Sequence, residues 1–196
     1  WDWEAAWEGA GANPAAMVRA GARADRRRLA LAAAAAAETV LPLFSDRETR
    51  PREALDLVRA WARGRADYAD VDRAGRAALD AALEARVHSS MRHAGQAVWF
   101  ATGVPFVGAD PRPPALARFF ARDSNTVETC AAEAVIQAAY AAAWANPATA
   151  PTWYASRLSF EWAMAPLVRA HLPLSVALRA RAGDPTPLDP SELARV

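Results

Sequence analysis

The chain has one cysteine, three histidines and nine glycines in 196 residues, and no lysine at all. Each scarcity removes a class of protein. A single thiol, Cys130, cannot close an internal disulfide, and among alanines on an expected helix it suits a small buried hydrophobe. The glycines are scattered, and their only close pair, Gly9 and Gly11, lacks the lysine and the flanking strand that a phosphate-cradling loop needs. Ser89, Ser90, Ser124 and Ser159 have no glycine elbow around them, so the serine-nucleophile signature is missing. β-Branched residues are few and never alternate with polar ones for a strand's length. The longest alanine-leucine run, Leu29 to Ala37, is nine residues, far short of the roughly 20 needed to cross a bilayer. Trp1-Asp2-Trp3-Glu4 is acidic and aromatic where a signal peptide carries a basic lead and an apolar stretch, so the cytoplasm is the expected location.

Charge excludes a further class. The 23 basic residues, all arginine, face 22 acids for a net charge of +1, which leaves no electrostatic footprint for a general binder of phosphate backbones. Neither nucleic acid nor membrane is an expected partner. His88 and His93 stand five positions apart, about 140° around a helix, so they do not project together as metal ligands would, and His171 is remote in sequence. Acidic pairs such as Asp70 with Asp72 read as solvated helix faces. No metal, cofactor or catalytic residue is assigned.

What the chain has is alanine, 53 residues of it, the strongest helix former. The expectation is an all-α, compact multi-helix bundle of about seven to nine helices with alanine-rich packing, 1–196 as a single domain. The alternative is a division into two lobes at the proline-rich stretch near 103–114. Asn13-Pro14 opens a short helix, Asp25 caps the next, and Pro42 ends it. Pro51 suits the first turn of the following helix and Gly64 its end. From about Asp67 to Ala101 the pattern reads as one long helix or two in tandem, with Leu79, Leu83, Val87, Met91, Ala94, Val98 and Ala101 on a continuous face. Asn125-x-x-Glu128 resembles a capping box that starts an almost wholly apolar, central helix ending near Trp144. A last group of helices is punctuated by Pro166 and Pro173. Alanine faces bring helix axes close, so little room is expected for an internal ligand pocket.

With no reactive constellation, the candidates are binding residues. On the helix after Pro51, Arg52, Asp56, Arg59 and Arg63 fall at spacings of four, three and four, a polar stripe in which Arg52 and Asp56 can pair. Trp3 and Trp7 share a face at i, i+4, and Trp and Arg are enriched where interfaces concentrate their energy. Arg50, beside a proline at a helix start, is placed to bond back to the turn from Leu41 to Asp46.

Asp25-Arg26-Arg27 before an alanine-rich helix, Val40-Leu41-Pro42-Leu43-Phe44, Arg50-Pro51-Arg52-Glu53-Ala54, Trp61-Ala62-Arg63-Gly64 and Met91-Arg92-His93-Ala94-Gly95-Gln96-Ala97-Val98 resemble the alanine-rich helical putative immunity protein family of bacterial toxin systems. The similarity covers roughly Asp25 to Gly103. It implies a protein that binds a cognate toxin and blocks it by occlusion from a preformed surface, without catalysis. On that basis the partner-binding surface is expected around Arg52, Asp56, Arg59 and Arg63, with Trp3 and Trp7 as apolar anchors. A helical metal-dependent hydrolase or transferase and a scaffold domain of a larger assembly are the competing expectations. The oligomeric state is open.

Overall fold

The computed structural model describes residues 13–20, 25–84, 89–105, 126–146 and 153–181, and among them all regular structure is helical. The punctuation acts largely as its chemistry dictates. Asn13 Oδ1 accepts the Ala16 amide at 2.8 Å, and α1 (Pro14–Ala20) follows. The Asp25 carboxylate accepts the Arg27 amide at 2.7 Å and starts α2 (Arg26–Glu38), satisfying one of the amides a helix start leaves unpaired. A 3₁₀ turn, Leu41–Leu43, carries Pro42 in its first positions.

Helix α3 (Arg50–Ala62) has Pro51 in its first turn and Glu53 close to its positive end. It ends in a Schellman motif: Gly64 has φ +70°, its amide donates to Trp61 O at 2.9 Å, and Arg65 N donates to Ala60 O at 2.8 Å. Glycine accepts that left-handed backbone without the steric cost of a Cβ.

The run expected to form one continuous face is divided between α4 (Tyr68–Glu84) and α5 (Ser89–Gly103). Gly75 of α4 lies against Thr102 of α5, and Ala82 against Gly95, so α5 runs antiparallel to α4. Leu83 is accordingly 58% exposed while Ala94, Val98 and Ala101 are buried. Apolar periodicity records which face a helix buries; it is blind to a reversal of the chain, so two faces that meet each other read as one. The contact is unusually close because the two glycines present no side chain to it.

Helix α6 (Val127–Ala145) packs against α1, α2, α5 and α7 and is the central rod, as its all-round apolar sequence suggests. Its cap is Thr126, whose hydroxyl accepts the Thr129 amide at 3.2 Å. That corrects the expected asparagine cap by one residue; Asn125 and the stretch 106–125 lie outside the described residues. Pro166, in the first turn of α8 (Ala165–His171), separates it from α7 (Trp153–Ala163), and α9 (Leu174–Arg181) follows Pro173. The buried cluster extends from Ala15 to Ala177 and is built mostly of alanine and valine, with Cys130 fully buried as expected. Small side chains allow near approach of the helix axes, and fill the interior by proximity rather than bulk.

Candidate partner-binding surface

Helix α3 carries the expected stripe along one side. Apolar Ala54, Leu55, Val58 and Ala62 are buried, so residues at the intervening positions turn outward. Arg52 and Asp56 are exposed, and Arg59 and Arg63 are half-buried. The ion pairing differs from the spacing argument. Asp56 takes Arg59 Nη1 at 3.2 Å, and the same guanidinium reaches Glu38 on α2 at 2.6 Å. Both i, i+3 and i, i+4 pairs are geometrically allowed on a helix, and Glu38, a tertiary neighbour, holds Arg59 in the arrangement seen. Arg59 is thus a strap between two helices, 18% exposed at its side chain. Arg52 and Arg63 have no ion pair among the described residues. Trp3 and Trp7 lie outside those residues.

Arg50 begins the helix and anchors it. Its Nε and Nη2 donate to Glu48 at 2.7 Å each, and Nη2 also donates to Glu84 at the end of α4, at 2.7 Å. The partners are therefore two carboxylates, where the sequence pointed to the turn from Leu41 to Asp46. The Arg50 hydrogen bond holds the Glu48 carboxyl below its ordinary range, and Glu84 is lowered by the same guanidinium. Arg50 is raised in turn, by Glu48 first and Glu84 second. Such a fork–fork arrangement fixes direction as well as distance.

Beside this anchor is a groove of about 230 Å³. Leu41, Pro42 and Phe44 supply its apolar side, and Asp46, Thr49 and Arg52 are among its polar lining. Motif residues from two separate stretches meet here, a juxtaposition that linear spacing does not show. At the other end of α3 the Trp61 and Tyr68 rings pack tilted, with centroids 5.8 Å apart, and Tyr68 is 40% exposed.

A second constellation runs across the bundle. His93 Nδ1 donates to Gln137 Oε1 at 2.7 Å, and Gln137 Nε2 donates to Glu133 at 3.2 Å. The His93 ring stacks on Tyr140 at 5.2 Å, and the Arg157 guanidinium lies 5.1 Å from the centre of the same ring. Arg157 also stands 3.9 Å from Glu161, which is only 2% exposed. Burial pushes the Glu161 carboxyl up; Arg157, Asn13, Arg19 and the Ala15 backbone oppose that shift without cancelling it. These contacts join α5, α6, α7 and the start of α1. Partners 44 positions apart in sequence leave no local signature, which is why spacing arguments pass over them.

His171 closes α8, and its pKa is lowered by burial first, then by Arg59 and Arg28. His88 lies outside the described residues. Among the described residues no three His, Cys, Asp or Glu side chains converge as metal ligands, and no helix is long and apolar enough to cross a membrane. No curated protein and no solved structure matches the chain. Residues 20–102, the stretch that supplies α2, the 3₁₀ turn, α3, α4 and α5, match the model of a family described as Imm-5 like putative immunity protein, so the resemblance carried by the arginine-proline and tryptophan motifs is shown over that span.

Proposed function

We propose that the chain is an immunity protein that binds a cognate toxin of a bacterial toxin system and neutralises it by covering its working surface. The observation that carries this reading is the position of the family match: residues 20–102 include all of α3, the turn before it, and the groove that they form. Their shared chemistry is of the kind a protein interface uses, with arginines and aromatics on a rigid helix and an apolar depression beside it. The stripe of Arg52, Asp56 and Arg63 supplies contacts and Arg59 holds the helix that presents them. Trp3 and Trp7 remain candidate anchors. Occlusion needs no catalysis, cofactor or metal, and a toxin acting inside the cell places its antidote in the cytoplasm. We take 1–196 as one helical domain, supported by a buried cluster spanning Ala15 to Ala177.

The test is to express the protein encoded beside this chain, alone and together with it, in a host that lacks both. Rescue of growth, and a complex of defined stoichiometry by calorimetry with the purified pair, are expected. Toxicity that persists at full expression of this chain, with no measurable heat of binding, would remove the immunity reading.

A further inference from the structure

The two ends of α3 differ in electrostatic character. At the start, Arg50 is shared by Glu48 and Glu84, and the groove adds Asp46 to Arg52. At the far end the neighbouring acids are engaged. Glu38 and Asp56 are taken by Arg59. Asp67 accepts the Asp70 amide at 2.9 Å, and Asp70 pairs with Arg73 at 3.4 Å. Arg63 and Arg65, which flank the left-handed Gly64, have no ion pair among the described residues. The carbonyls of the last turn are also in use, since Trp61 O and Ala60 O accept the Gly64 and Arg65 amides. Two cations are thus left over on one turn, next to the exposed Tyr68 and its Trp61 neighbour.

We infer that this corner, Trp61, Arg63, Arg65 and Tyr68, docks an acidic segment of the protein partner. This deepens the immunity reading and rests on it. The argument is one of charge complementarity: among the described residues the carboxylates of Glu38, Asp56, Asp67 and Asp70 each have a partner, and an incoming carboxylate can pair the surplus guanidiniums. The aromatic pair supplies apolar area that is already ordered, and Arg with Tyr and Trp is the combination found where interfaces concentrate energy. The short turn between α3 and α4 holds these groups on two packed helices, so little order has to be created on binding. A basic segment would meet repulsion here, and a nucleic acid would require a far broader basic surface than two arginines in a chain of net charge +1.

The experiment uses the full-length chain and the purified, catalytically inactivated toxin encoded beside it, with affinity measured by calorimetry at low and high salt. Arg63→Glu combined with Arg65→Glu is expected to weaken binding at least about tenfold at low salt and to flatten the salt dependence. Tyr68→Ala is expected to weaken binding several-fold at both salt concentrations. The Arg63/Arg65 change removes no ion pair among the described residues, so its circular dichroism melt should coincide with the parent; Tyr68→Ala also loses the ring contact with Trp61, so its affinity is read well below its own melting temperature. A charge reversal at Arg27 and Arg92, which alters net charge equally at exposed positions elsewhere, should leave affinity within about twofold. If the parent binds and the Arg63/Arg65 variant binds equally well with the same salt slope, the corner is not the docking site while the immunity reading stands. If the parent does not bind the toxin, that reading fails and this inference falls with it.

Discussion

Replacing Gly95 by alanine isolates the close approach of α4 and α5. Propensity alone favours the change, since alanine in a helix interior is better than glycine by about 1 kcal/mol. The structure opposes it. A Cβ built at position 95 comes within 2.1 Å of the Ala82 Cβ, whereas ordinary contact begins at 3.4 Å. The helices must therefore part by more than 1 Å, a distance over which packed atoms lose much of their attraction. Neither carbon lies at the far end of a flexible chain, so no rotamer change relieves the contact. Overpacking of this kind costs about 1–3 kcal/mol, which outweighs the propensity gain. The expected net loss is up to about 2 kcal/mol, or a fall in Tm of up to about 8 °C for a chain of this size. Urea melts of four proteins give the decisive comparison: parent, Gly95→Ala, Ala82→Gly and the double variant. The double variant moves the methyl from one helix to the other and should be more stable than the sum of the single changes predicts, by at least about 1 kcal/mol. A Gly95→Ala protein more stable than the parent, or strictly additive changes, would refute the packing argument.

Arg59→Ala should lower stability by about 0.2–1 kcal/mol through loss of the Glu38 and Asp56 pairs, while Arg63→Ala leaves the melt unchanged; equal melts for both would deny Arg59 its strapping role. The same Arg59 variant should raise the pKa of His171, which Arg59 and Arg28 help to depress behind burial, as read by NMR titration of the imidazole. Because the folded pKa of His171 lies below its ordinary 6.5, its protonation costs stability as pH falls below 6.5, and His171→Gln should flatten that part of the stability curve. Glu161 has the opposite sign: its folded pKa is above the ordinary 4.5, so its penalty is full at pH values above the folded pKa and fades as pH drops towards 4.5. Any advantage of Glu161→Gln at neutral pH should therefore shrink in acid, and a difference between the two proteins that grows in acid would reverse the assignment.

Local chemistry was legible wherever the deciding atoms lie a few residues apart. Asp25 as a cap, Pro51 in a first turn and Gly64 as a left-handed terminator each depend on backbone within one helical turn, and each is found where the sequence puts it. What failed to show depends on a second helix. The pairing of Asp56 with Arg59 instead of Arg52 is decided by Glu38, and the true partners of Arg50 include Glu84, 34 positions away. The apparent single face from Leu79 to Ala101 conceals two faces in mutual contact. The groove beside Arg52 forms because a 3₁₀ turn folds Phe44 and Pro42 beneath the start of α3, which no periodicity records. The family motifs gave a broad indication of function because they mark these junctions, but they do not state which side chains are already occupied.

An interior made of the smallest side chains has one-sided tolerance. Trimming an alanine removes a single methyl, whereas enlarging one at α4, α5 or α6 drives rods apart along their whole length, so drift can scarcely enter the centre of the molecule. Solvent-facing positions such as Arg65, exposed and without an ion pair among the described residues, admit exchange at far lower cost. The molecule therefore divides into a centre that admits no larger side chain and a rim whose side chains can be exchanged one at a time.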